Sequence, residues 1–221
     1  FGVTVHDDAL SIPRRWRSPR TVFVNSMSDL FHARVPREFV AKVFAVMAAT
    51  PQHTYQILTK RPERMARIVG DDTFRQSCEP WRITGDNVLV EPDWPLNNCW
   101  LGTSIESNKH VGRADHLRAT AAAVRFVSAE PLLGPLEGID LAGVDWLIVG
   151  GESGPGARPV QLRWVSHLIE RARESGTAVF VKQLGACWDE AHGRRGKGNH
   201  WDDWPTELKI REYPTGRAVA A

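Results

Sequence analysis

Short apolar runs alternate along the chain with longer amphipathic stretches. Six runs have the length and residue types of buried β-strands, near 21–25, 54–59, 98–103, 124–128, 146–150 and 178–183. Helices are expected between them. Val35-Pro36-Arg37-Glu38 opens one, since proline lacks only an N–H that the first helical turn leaves unpaired. Phe39, Val40, Val43, Phe44, Val46 and Met47 give it an apolar face, and Pro51 ends it. Arg61-Pro62-Glu63 opens a second helix in the same way, and a further helix is expected over about 109–122. Leu162, Val165, Leu168, Ile169 and Ala172 recur at helical spacing, with Gly176 as the stop.

Strand–helix alternation of this kind implies parallel strands joined by right-handed crossovers. The expected fold is α/β, a partial parallel (β/α) barrel of TIM type. Six strands fall short of the eight of a closed barrel, so its first strand is expected to be missing here. A chain of 221 residues suits one such domain over 1–221. Residues 70–97 are rich in Gly and Pro and interrupt the rhythm, which reads as an insertion over the barrel rim. Residues 185–221, with Gly193, Gly196 and Gly198, read as an irregular C-terminal segment.

Each strand ends in polar side chains or glycines, and ligands of parallel α/β folds bind at that end. The tails carry Ser26 and Asp29, then Lys60, then Thr103 and Glu106, then Ser128 and Glu130, then Gly150, Gly151 and Glu152, then Lys182. Glu106 and Glu130 each follow a hydroxyl residue and could act as acid and base, with Lys60 and Lys182 as natural partners; a buried ion-pair network would use the same residues. Adjacent Gly150 and Gly151 allow close backbone approach to a ligand, or only a tight turn. Asp29 could hold a ligand or cap the next turn. No Walker loop, no GxSxG elbow and no HExxH is present.

A net charge of +2 gives no general pull toward nucleic acid or anionic membrane. Basic residues do cluster at Arg14, Arg15, Arg17 and Arg20, and again at Arg194, Arg195 and Lys197 beside Trp188, Trp201 and Trp204. The second cluster has the residue types of a single-strand stacking surface, although tryptophans anchoring the segment would look the same. Cys78, Cys99 and Cys187 are too scattered for a metal motif and suit a reducing, cytoplasmic setting; no apolar run is long enough for a membrane span.

The segments VFVNSMSDLFH, QILTKRPERM, CWLGTSIE, VRFVSAEPLLGPL, DWLIVGGESGPGARP and VFVKQLG stand in this order over residues 1–216. Together they closely resemble an uncharacterised phage-derived family that is radical-SAM-like, some of whose members lie beside three-Cys-motif partner genes. The resemblance implies a partial α/β barrel and an upstream three-cysteine motif that would hold a [4Fe–4S] cluster and S-adenosylmethionine. That motif is absent from this chain, so neither the cluster nor S-adenosylmethionine is expected to be bound by it as given; both are expected of the full-length protein. In that protein the strand-end residues Lys60, Glu106, Glu130 and Lys182 are expected to be catalytic. Ser26, Asp29, Thr103, Ser128, Gly150, Gly151 and Glu152 would bind the cofactor, with Asp29 or Glu152 on the amino-acid or ribose end of S-adenosylmethionine. Radical SAM enzymes often carry Gly-Gly-Glu after their second strand; here that place reads Asn25-Ser26-Met27-Ser28-Asp29, and Gly150-Gly151-Glu152 comes later. The implied protein is a phage or prophage one of the host cytoplasm, with a small-molecule, nucleic-acid or host-protein substrate, a three-Cys-motif partner protein, and no membrane. Two other readings stand beside it: a non-catalytic phage protein that binds a host protein or nucleic acid, and a cluster-free hydrolase or lyase using Glu106 and Glu130.

Overall fold

Strand β1 (Thr21–Val24) and strand β2 (Thr54–Thr59) pair in parallel, from Thr21 opposite Thr54 to Val24 opposite Ile57, in a computed structural model that describes residues 2–78 and 93–214. Strands β3 (Cys99–Ser104), β4 (Val124–Ala129), β5 (Trp146–Gly150) and β6 (Ala178–Gln183) follow. The sheet runs in chain order from β1 to β6. β5 pairs in parallel with both β4 and β6. β3 and β5 are buried along their whole length, as strands covered on both faces must be. With helices between its strands, this is the α/β partial-barrel class that the periodicity implies.

Contacts divide the chain into two compact units. One is built from described residues up to 102 and from 119–124. Its helices are α1 (Arg37–Ala48), α2 (Pro62–Val69) and α3 (Asp72–Ser77). α1 buries Val40, Phe44 and Met47, and the Phe44 ring meets Phe74 of α3 edge-on at 5.3 Å. Pro62 stands at the start of α2, as expected. Asp71 caps α3 by accepting the Thr73 N–H at 2.8 Å, so the stretch 70–97 contains a helix. Residues 79–92 of the expected insertion lie outside the described residues.

The other unit holds 103–118 and the described residues from 125 on. Helix α5 (Leu162–Glu174) buries Val165, Leu168, Ile169 and Ala172, the stripe read from sequence, and Gly176 has the positive φ of +68° that ends it. The helix expected over 109–122 is much shorter. A 3-10 turn over Asn108–His110 runs to Gly112, and α4 (Arg113–Arg118) buries only Ala114 and Leu117. The described part of the expected irregular segment, 185–214, is more regular than expected, and 215–221 lie outside the described residues. Gly185, at φ +91°, turns the chain straight from β6 into α6 (Ala186–Ala191). The chain then returns antiparallel along the outer edge of β6, where Ile210 O accepts the Val181 N–H and Glu212 N donates to Val179 O. Among the described residues, no helix is long and apolar enough to cross a membrane.

Candidate functional site

In the second unit the ends of β4, β5 and β6 meet around one carboxylate. Glu130, just past β4, is paired with Lys182 of β6 at 3.2 Å, and the Ser128 hydroxyl donates to it at 3.3 Å. Between them β5 ends in Gly150. A Cβ there would lie 2.6 Å from Glu130 Oε1, so the missing side chain is what admits the carboxylate. The Glu130 side chain is 18% exposed and that of Lys182 is 56% exposed. At that exposure the pair adds only about 0.5 kcal/mol to stability. Its value lies in presenting opposite charges side by side at a strand-end rim.

Gly151 serves the protein's own backbone. Its N–H donates to Gln183 O at 2.9 Å, and a Cβ would come within 2.8 Å of Gly185 N. Gly185 in turn backs onto Glu152 O, which accepts the Ala186 N–H at 2.8 Å. Gly198 locks the stack from the other side: its carbonyl accepts Leu184 N at 2.9 Å and the indole N–H of buried Trp204 at 3.0 Å. Trp204 is therefore an anchor for this segment. Glycines that sequence alone places beside a ligand here make room for a carboxylate and for neighbouring main chain.

Glu152 is committed to Arg158, six positions later in the same loop. Oε2 accepts the Arg158 backbone N–H and Nε, both at 2.8 Å, and Oε1 accepts NH2 at 2.6 Å. Those bonds from Arg158 hold the Glu152 carboxyl down at about 2. Buried Glu106 pairs with Arg113 at 3.2 Å, and the same Arg113 nitrogen donates to Ser104 O at 2.7 Å. Thr103 is fully buried in β3.

In the first unit Asp29 ties the end of β1 to the end of β2. Oδ1 accepts Phe31 N at 2.9 Å and the Thr59 hydroxyl at 2.7 Å; Oδ2 accepts Lys60 N at 3.2 Å and Arg61 NH1 at 2.6 Å. Ser26 is exposed in the turn that follows β1, where Asn25 adopts φ +61° and donates from its amide to Ser28 Oγ at 2.7 Å. The Lys60 side chain is exposed at the end of β2. This unit also holds an apolar cavity of about 450 Å³; its lining includes none of the expected site residues.

Of the residues read from sequence, Ser128, Glu130, Gly150 and Lys182 come together in one cluster, and Asp29 meets the Lys60 backbone in another. Two further arginines complete these pairs, Arg113 on Glu106 and Arg158 on Glu152. The signal for them in the sequence is a cation seven or six positions after the strand-end carboxylate. Among the described residues, no group of three or more His, Cys, Asp or Glu is placed to hold a metal ion. Cys78 and Cys99 are buried, burial pushes the Cys99 thiol up, and Cys187 Sγ donates to Ala157 O at 3.0 Å. These thiols do not fit an iron–sulfur cluster.

The family described as a protein of unknown function (DUF5131) matches residues 1–205. The chain belongs to the DUF5131 family. No curated protein and no solved structure matches this DUF5131 member.

Proposed function

We propose that this DUF5131 chain is the barrel domain of a radical-SAM-like protein of phage or prophage origin. In this reading, the ends of β4, β5 and β6 take the amino-acid end of S-adenosylmethionine. The observation that carries the binding site is the Glu130–Lys182 pair lying over side-chain-free Gly150. An amino-acid end carries a carboxylate and an ammonium side by side. Lys182 would take the first and Glu130 the second, so that each ion exchanges its internal partner for a ligand group of the same sign. Ser128 orients the Glu130 carboxylate from below. Strand carboxyl ends are where parallel α/β folds bind ligands.

Asp29 and Glu152, the carboxylates that sequence favours for this ligand, fit it less well. Each already accepts three or more bonds from its own chain. When bound, S-adenosylmethionine supplies the adenosyl group for radical chemistry. The [4Fe–4S] cluster such chemistry uses needs closely spaced thiolates, and Cys78, Cys99 and Cys187 do not provide them. The radical assignment thus rests on the ordered sequence segments. The test is anaerobic iron and sulfide loading of the protein as its gene encodes it, with a reductant and S-adenosylmethionine. Release of 5′-deoxyadenosine is expected. Retention of intact S-adenosylmethionine would move the family to the non-catalytic binding reading.

A further inference from the structure

Strand β1 is an edge of the sheet: it pairs with β2, and among the described residues no strand pairs with its other side. Arg20 O accepts the Thr54 N–H at 2.8 Å. Alternation along the strand then turns Val22 toward β2 and the backbone N–H and C=O of Phe23 away from it. Folded proteins blunt such edges with charge, proline or covering chain. β1 reads Thr-Val-Phe-Val and carries neither charge nor proline. The edge at β6 is covered by the protein's own C-terminal segment, where Ile210 O accepts the Val181 N–H at 2.9 Å.

The apolar cavity of about 450 Å³ lies along this edge as an open groove. Val22, Phe23 and Val24 line it from β1, Val43 and Met47 from α1, and Val5 from the N-terminal segment. Phe23 and Ile12, which also lines it, are 44% and 45% exposed, so apolar surface stands uncovered beside the outward backbone groups. The chain here is one-signed: residues 9–28 contain four arginines and no Asp or Glu. All four are exposed. Arg15 reaches the Ser11 hydroxyl and Arg20 lies over the Trp16 ring at 5.0 Å, so neither charge is neutralised. Ile12 and Trp16 line the groove, which sets these arginines at its rim.

We infer that the free edge of β1 takes up an extended, acidic strand of a partner polypeptide. The partner's backbone pairs with the Phe23 N–H and C=O, its alternate apolar side chains enter the groove, and its carboxylates meet the arginines at the rim. Backbone and charge together select this occupant. A bilayer would leave the outward Phe23 groups without partners in hydrocarbon. A second copy of this chain paired through β1 would bring two arginine clusters together with no acidic residue in either stretch to offset them. The same arginines favour an acidic strand over a basic one. The inference is independent of the Glu130–Lys182 reading.

The experiment is titration of the full chain with a capped hexapeptide of alternating glutamate and valine, followed by fluorescence anisotropy. The comparison ligands are its lysine–valine counterpart, the acidic peptide N-methylated throughout, and vesicles of anionic phospholipid. The acidic peptide should bind saturably, one per chain, and neither the lysine nor the methylated peptide should bind. The double variant R15A/R17A, at exposed positions, should weaken the acidic peptide by about fivefold. Phe23→Pro removes the outward N–H and spares the bonds to β2, so it should abolish binding; Phe23→Ala, which keeps that N–H, should only weaken it. The methylated peptide keeps the test decisive even where Phe23→Pro fails to fold. Equal binding of the acidic and lysine peptides, or acidic-peptide binding that survives methylation, would overturn the inference. So would the absence of acidic-peptide binding, and vesicle binding in that case would assign the edge to a lipid surface.

Discussion

Gly150 has no side chain because the Glu130 carboxylate occupies the space. A Cβ at Gly150 would meet Oε1, Cγ and Cδ of Glu130 at 2.6, 3.1 and 3.2 Å. One strand's end thus sets the shape of its neighbour's site. Gly150→Ala is expected to push Glu130 away from Lys182 at a cost of about 1–2 kcal/mol in urea denaturation. Removing the carboxylate as well, in the Glu130→Ala background, should make that cost largely vanish, because the clash is pairwise. Gly151→Ala should cost more, about 3 kcal/mol, and no single partner change should rescue it: its neighbour is main chain at Leu184 and Gly185.

Glu152 and Arg158 predict a pH dependence. The bonds from Arg158 hold the Glu152 carboxyl at about 2, below its ordinary 4.5. A carboxylate whose folded value is depressed adds stability above its unfolded value and loses it as pH falls through the folded one. Melting temperatures of the protein and of Arg158→Ala should therefore differ by a constant amount above about pH 5 and converge between about pH 4.5 and pH 2. Curves that stay parallel down to about pH 2 would show that Arg158 acts by packing alone.

Asp29 holds the ends of β1 and β2 with four accepted bonds, two of them from backbone N–H groups. Asp29→Asn keeps the shape, removes the charge and turns one acceptor into a donor facing donors. It should cost about 2–3 kcal/mol by urea denaturation. Thr59→Ala, which deletes a single bond, should cost about 1 kcal/mol. Equal costs for the two would mean that Arg61 contributes nothing to the cluster.

The strands and the long helices were legible because burial imposes a period on them. The face of α1 around Val40 and Phe44, and that of α5 around Leu168 and Ile169, follow directly from the spacing of their apolar residues. The sequence extends α4 too far because Ala119 and Ala121–Ala123 favour a helix locally, while the chain there turns into β4. α6 was missed because Gly193, Gly196 and Gly198 dominate the composition of its surroundings, although a positive φ is needed only at two of them. The pairing of Glu130 with Lys182 is among those the sequence offers, since both lie at strand ends, on either side of the β5 tail. The Gly151–Gly185–Gly198 stack was not, because a glycine signals close approach without saying to what. Arg113 and Arg158 escaped notice because each lies beyond the strand tail that its carboxylate ends.

The central claim is that Glu130 and Lys182 receive the amino-acid end of S-adenosylmethionine, and equilibrium binding of that ligand tests it most directly. The protein as its gene encodes it should bind S-adenosylmethionine saturably. Lys182→Ala and Glu130→Gln should each weaken it by about tenfold, while S-adenosylmethionine lacking its carboxylate should bind the protein and Lys182→Ala equally. Binding that neither variant changes, or the absence of binding by the unaltered protein, would contradict the account.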